Sequence, residues 1–242
     1  MNLLLFSAQD RLDGEGEGEG DRIRIAGQRL QHLQEVLSSN EGDRLRVGEI
    51  NGLMGHGEIL ELGPDEALLQ VELDQSPPPK LPLTLLLALP RPKMLRRILR
   101  TVAELGVAEL HLLNSARVEK SYWQTPVLEP AVVEAYFLQG LSQSRDTVLP
   151  GLSVHKRFKP FVEDELPALI EGQRALLAHP GEYPPCPGND QQATVLVIGP
   201  EGGFIPYEVE KLQAAGCDTI SLGPRILRVE NAVSTLIAKM ST

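Results

Sequence analysis

The stretch Val195-Leu196-Val197-Ile198-Gly199-Pro200-Glu201-Gly202-Gly203-Phe204 decides the fold, because an apolar run passes straight into a glycine-rich turn. A short continuous apolar run bounded by turn residues reads as a buried strand. Pro206 then opens a helix predicted over 207–215, which Gly216 closes. Glycines allow a backbone to approach a ligand closely and to adopt positive φ. In open α/β sheets, small molecules bind in the crevice beyond the carboxyl ends of the strands. The turn is not a Walker loop, since no Gly-Lys-Ser/Thr follows, and it is not a GxGxxG fingerprint. Alone, it reads more readily as a plain tight connection between strand and helix than as a binding loop.

A second loop of the same kind follows it: Ile220-Ser221-Leu222-Gly223-Pro224-Arg225-Ile226-Leu227-Arg228-Val229-Glu230-Asn231. A short strand over 219–222 ends at Gly-Pro, and a helix is predicted over 231–240. Two such loops at the carboxyl edge of neighbouring strands suit a flat, largely neutral ligand held by backbone hydrogen bonds. Upstream, strands are predicted over 83–89, 109–113, 151–154 and 175–178. Helices are predicted over 93–105, 129–142 and 161–171. Such alternation implies a parallel sheet covered by helices, an α/β fold.

The first 75 residues follow a different pattern. Strands are predicted over 45–50, 56–60 and 67–73, with a turn at Gly63-Pro64-Asp65 and one amphipathic helix over 27–38. Short strands around one helix suggest a small β-barrel. Residues 15–21, reading EGEGEGD, suggest a mobile loop. Residues 76–82, reading SPPPKLP, form a stiff linker. The expected organisation is therefore 1–75, a linker at 76–82, and 83–242.

With 42 % hydrophobic and 23 % charged residues the composition is that of a globular chain, and aromatic residues at 4 % leave packing to Leu, Val, Ile and Ala. The formal net charge is −10, and it is unevenly placed. Residues 1–75 hold six Arg and sixteen Asp or Glu, whereas the remainder is balanced at seventeen of each sign. No acid lies between Asp74 and Glu104, where Lys80, Arg91, Lys93, Arg96, Arg97 and Arg100 cluster. Screening over about 10 Å lets such a patch bind phosphate despite the overall charge. The same cluster also reads as a solvated helix face. The longest apolar run, 81–89, is too short to span a bilayer, and no secretory signal is expected. Cys186 and Cys217 lack metal-ligand spacing, and His32, His56, His111, His155 and His179 show no metal pairing. A cytoplasmic protein without metal or membrane partners is expected.

The strings IGPEGGF and LGPRILRVENA resemble the two signature motifs of the ribosomal RNA small subunit methyltransferase E family, within the knotted SPOUT methyltransferases. Lys93-Met94 with Ala103-Glu104-Leu105-Gly106-Val107 resembles the family's first helix, and Gln143-Ser144-Arg145 its central motif. Residues 29–57 resemble its N-terminal RNA-binding domain, related to PUA domains. The resemblance implies a SPOUT-type parallel-sheet domain with a C-terminal trefoil knot, preceded by a PUA-like β-barrel domain. It also implies a homodimer that binds S-adenosylmethionine and methylates N3 of one uridine in 16S rRNA, alone or within the small ribosomal subunit. Carried onto this chain, cofactor contacts fall on Leu177, Ala178 and His179. They continue at Ile198, Gly199, Pro200, Glu201, Gly202 and Gly203, and at Leu222, Gly223, Arg225, Ile226 and Leu227. Arg228, Glu230, Asn231 and Arg145 are the candidate catalytic residues, and Arg29, Lys93, Arg96, Arg97 and Arg100 the candidate RNA contacts.

The chain departs from the family pattern in three places. The second motif usually reads Leu-Arg-Thr-Glu-Thr-Ala, so Val229 and Asn231 replace both threonines. Ser142 stands where Glu precedes Gln, and Ser38-Ser39 where the N-terminal helix ends in Arg. Two further readings remain compatible: an RNA-binding member without catalysis, and a methyltransferase with a different RNA target.

Overall fold

The computed structural model describes residues 2–12, 21–36 and 38–241. The expected loop over 15–21, apart from Asp21, lies outside the described residues, as does Leu37 of the expected N-terminal helix. The chain divides into two compact units. One comprises Met1–Pro78 with Leu141–Leu149, the other Pro79–Gly140 with Pro150–Thr242.

In the first unit, strands β1 (Leu4–Phe6), β2 (Arg11–Leu12), β3 (Arg22–Ala26), β4 (Arg44–Glu49), β5 (Met54–Leu62) and β6 (Glu66–Gln75) form one sheet. Their order is β1-β4-β5-β6-β3-β2. Every pair is antiparallel except β1 with β4. Alternation along these strands sends Ile23, Ile25, Leu45, Val47, Ile59, Leu69 and Val71 inward. Leu30 and Leu33, from the helical segment α1 (Gln28–Gln31) and the π-turn His32–Val36, close the core. The predicted helix over 27–38 is thus a single α-turn continued as a π-turn. The glycines that punctuate β5 have a steric reason. A Cβ on Gly55 would lie 1.9 Å from the Glu72 carbonyl oxygen, where the pairing with β6 shifts register.

Segment 141–149 joins this unit by hydrogen bonds. Leu3 N–H donates to Ser142 O at 2.9 Å and Ser142 Oγ to Leu3 O at 2.7 Å. Asn51 N–H donates to Thr147 O at 2.8 Å, and Thr147 Oγ1 to Gly52 O at 2.6 Å. The Ser142 hydroxyl therefore has a structural task of its own.

The second unit holds six parallel strands: β7 (Leu81–Ala88), β8 (Val107–Leu113), β9 (Gly151–His155), β10 (Arg174–Ala178), β11 (Thr194–Ile198) and β12 (Asp218–Ile220). Their order is β12-β10-β11-β7-β8-β9. All of β11 is buried, as is β7 from Leu83 onward. Both read as uninterrupted apolar runs because they are central and covered on both faces. The covering helices are α2 (Pro92–Glu104), α3 (Pro130–Ser144), α4 (Phe158–Pro160), α5 (Leu166–Ile170), α6 (Pro206–Ala214) and α7 (Val229–Ser241). A π-turn, Phe161–Glu165, joins α4 to α5. The α/β reading of the sequence therefore holds.

Cys217 is buried, and burial pushes its thiol up to about 12. His111 and His155, which sequence spacing leaves apart, stack with their ring nitrogens 3.0 Å apart across β8 and β9. Glu109 and Glu165 stand at the outer nitrogens, 3.3 and 3.2 Å away. No group of His, Cys, Asp and Glu among the described residues is arranged to hold a metal ion. No helix among them is long and apolar enough to cross a membrane.

Candidate functional site

β10, β11 and β12 end side by side, and the segments leaving them line a cavity of about 810 Å³ at the carboxyl edge of the sheet. Its fourth wall is the start of α2, which leaves β7.

The first loop leaves β11 at Gly199. Gly203 N–H donates to Pro200 O at 2.8 Å and closes a turn that requires φ +70° at Gly203. A Cβ on Gly199 would lie 3.2 Å from Phe204 N, so this glycine serves close packing inside the turn. The second loop leaves β12 at buried Ser221, whose Oγ accepts the Gly223 N–H at 3.0 Å. Gly223 adopts φ +97°. Residues Gly223 to Arg228 are exposed, and Ala232 N–H reaches back to Arg228 O at 2.8 Å as α7 begins. From β10, His179 N–H donates to Ile220 O at 3.0 Å, which draws that strand end and the second loop together. Burial, and after it the positive charge of Arg117, hold the His179 imidazole below its usual pKa.

The residues expected from the sequence sort clearly. Ala178, His179, Ile198, Gly199, Pro200, Glu201, Gly203, Leu222, Gly223, Arg225, Ile226 and Leu227 all line the cavity. Leu177 is buried inside β10, and Gly202 turns away. Arg228 and Glu230 line the cavity, whereas Asn231 is exposed on α7 outside the lining. Val229 contributes apolar wall where the family pattern has a hydroxyl. Arg145 belongs to the first unit, where it is exposed at φ +59° beyond the end of α3.

The basic cluster divides by helix face. Lys93 and Arg97, one turn apart, line the cavity; Arg96 and Arg100 do not. Arg100 is engaged elsewhere, with Nε donating to Gln139 Oε1 at 2.7 Å and its guanidinium 4.9 Å over the Tyr136 ring. Arg29 is held by Asp10, with both bonds at 2.7 Å, and that hydrogen bonding lowers the Asp10 carboxyl to about 2. Arg91, a member of the same basic cluster, also lines the cavity, and its backbone N–H donates to Glu201 Oε1 at 3.1 Å across the mouth. Sequence reasoning missed Met94, Pro180, Ser221, Ala232 and Leu236 as lining residues. The lining is basic on balance: Arg91, Lys93, Arg97, Arg225 and Arg228 face only Glu201 and Glu230.

The pattern defining the RNA methyltransferase domain family matches residues 77–241. The ribosomal RNA small subunit methyltransferase E of Synechocystis is 30 % identical over 90 % of this chain and 72 % of its own. The chain belongs to that family. The family relative from Treponema pallidum is 28 % identical over 98 % of this chain and 90 % of its own. Among solved structures, the family protein from Neisseria gonorrhoeae, bound to S-adenosylmethionine, superposes with a TM-score of 0.76. It is 19 % identical, covering 98 % of this chain and 95 % of its own, and so bears on the fold.

Proposed function

We propose that the protein transfers a methyl group from S-adenosylmethionine to N3 of a specific uridine in 16S rRNA. The observation that carries this reading is the cavity framed by two glycine loops at the carboxyl edge of a parallel sheet, with a basic mouth. Its volume of about 810 Å³ lies in the range of small-molecule sites, about 300–1,000 Å³. The residues fit the cofactor. Backbone from 199–203 and 222–227 supplies hydrogen-bonding groups, and Ile198, Leu222, Leu227 and Val229 supply apolar walls for an adenosyl group. A neutral His179 adds no positive charge beside a sulfonium. We further propose the trefoil knot at 83–242, a PUA-like RNA-binding role for 1–75, and a homodimer. The edge position of β12, bridged at Ser221 to Pro184 and Cys186 before α7 turns back, supports the knot. Exposed Ile226 at 83 % and Leu227 at 37 % offer apolar surface for a second copy to cover.

When bound, S-adenosylmethionine supplies an activated methyl carbon, so no metal is required. The protein's task is alignment and charge. Uracil N3 lies on the Watson–Crick edge and carries a proton, so the base must leave its stack to enter the cavity. N3 gives its proton to solvent water as the new bond to the methyl carbon forms, and Arg228, on the cavity wall, would stabilise the negative charge that develops on the uracil. Glu230, in the first turn of α7, suits the helix dipole. Arg91, Lys93 and Arg97 at the mouth hold the backbone phosphates of the flipped nucleotide.

Calorimetry with S-adenosylmethionine tests the first half of this reading; absence of binding at millimolar cofactor sinks it. Nucleoside mass spectrometry of 16S rRNA from a deletion strain tests the second half. Loss of N3-methyluridine is the expected result, and an unchanged level excludes the proposed target.

Salt dependence separates the two faces of α2. Lys93→Ala with Arg97→Ala is expected to flatten the log K versus log salt slope for single-stranded RNA by about 1.4, since each lost phosphate contact removes about 0.7. Arg96→Ala should leave the slope unchanged. Equal effects from both faces would return the cluster to a solvated surface.

A further inference from the structure

Arg117 and Glu208 lie outside the lining of the cavity, yet both hold the first glycine loop. Glu208 is 3 % exposed, a burial that a carboxylate sustains only when its oxygens are partnered. Its Oε2 accepts the Ile205 N–H at 3.1 Å, which caps α6. Its Oε1 accepts the Ala116 N–H at 2.7 Å, a bond to the segment after β8 that capping does not require. From the next residue of that segment, Arg117 Nη1 donates to the Gly202 carbonyl.

The loop is built to receive that bond. A Cβ on Gly202 would stand 3.0 Å from Arg117 Cδ, so the glycine leaves the path along which the arginine lies. Gly202 is also the loop residue that turns from the cavity, while Gly199, Pro200, Glu201 and Gly203 face it. One tie therefore fixes the middle of the loop and the other its exit at Ile205. Arg117 lies close enough behind the wall for its charge to act on His179. A glycine-rich turn has much freedom to lose on binding, and holding it in shape beforehand raises affinity.

We propose that Arg117 and Glu208 are positioning residues that hold the loop 199–203 in the shape that receives S-adenosylmethionine, an inference that rests on the methyltransferase reading above. Neither touches the cofactor. Arg117 acts through Gly202, and Glu208 through Ile205 and Ala116.

The test uses the full-length chain as wild type, Arg117→Ala, Arg117→Lys and Glu208→Gln. Each is measured for cofactor Kd, for KM and kcat, for Tm, and for the His179 imidazole titration by NMR. Loss of a charged hydrogen bond is expected to weaken cofactor binding by about tenfold in Arg117→Ala. The KM for cofactor rises in parallel, while kcat at saturating cofactor stays within about twofold. Lysine at 117 keeps a charged donor and recovers most of the affinity. Glu208→Gln retains one acceptor oxygen for two N–H groups and falls between wild type and Arg117→Ala. The His179 midpoint moves up in Arg117→Ala and not in Arg117→Lys.

Unchanged cofactor Kd in Arg117→Ala and Glu208→Gln, with or without a lower Tm, overturns the proposal. Should wild type itself fail to bind, the methyltransferase reading falls instead. In that event an unmoved His179 midpoint in Arg117→Ala overturns the brace independently.

Discussion

Arg228→Ala is expected to lower kcat by about two to three orders of magnitude, the scale of losing one preorganised group at a developing charge. Cofactor Kd should stay within about threefold of wild type, because the cofactor cradle is backbone and apolar wall. Several other arginines are engaged or lie away from the reacting base. Arg100 is tied to Gln139 and Tyr136 and Arg29 to Asp10, while Arg91 stands at the mouth, 4.0 Å from Glu201. Arg228 lines the cavity with no ion-pair partner among the described residues, and its carbonyl is fixed by the first turn of α7. Arg228→Lys keeps the charge without the planar fork and should recover part of the loss. Single-turnover methyl transfer with saturating cofactor is the measurement. An unchanged rate would remove Arg228 from the chemistry, and a raised KM for RNA with normal kcat would make it a phosphate contact instead.

Gly203→Val carries the second large effect. A β-branched residue at φ +70° is strongly disfavoured, at a cost of about 1–3 kcal/mol, and the turn relieves that strain by changing shape. The turn is cavity wall, so cofactor affinity is expected to fall by about ten- to a hundredfold while the fold survives. Gly172 offers the control. It has φ +73° and nothing within 4 Å of a built Cβ, and it lies outside the cavity. Gly172→Val should lower Tm comparably and leave calorimetric binding intact. Equal binding by both variants would show that the shape of the first loop does not matter.

The parallel sheet was legible because its strands are unbroken apolar runs between glycines and prolines. β1 and β2 were not legible, at three and two residues, since so short a run carries no periodicity. β3 reads RIRIA and does alternate, so its signal is present in the sequence despite its five-residue length. Segment 141–149 continues a helix in sequence, so nothing local announces its pairing with Leu3, Asn51 and Gly52. The same logic divides the site. The two loops announce themselves by Gly-Pro and by their place after strands. The split of the basic cluster was readable too, because Lys93 with Arg97 and Arg96 with Arg100 form separate helical pairs. Arg117 and Glu208 were invisible because their partners lie 85 and 92 positions away, and hydrogen bonds at that range leave no local pattern.

The place of β7 in its sheet also sets a timetable. Leu85 pairs with Leu110 on one side and with Leu196 on the other. While the chain is being made, β8 can cover one edge of β7 soon after it emerges. The opposite edge must wait until β11 has been synthesised, and β10 and β12 can dock only after that. Long-range pairing of this kind slows folding and leaves an apolar strand edge open to wrong partners. All three strands that end at the cavity belong to the late half. A nascent chain therefore stays without its cavity until β12 and α7 have been made, and chaperone dependence should be concentrated in that interval.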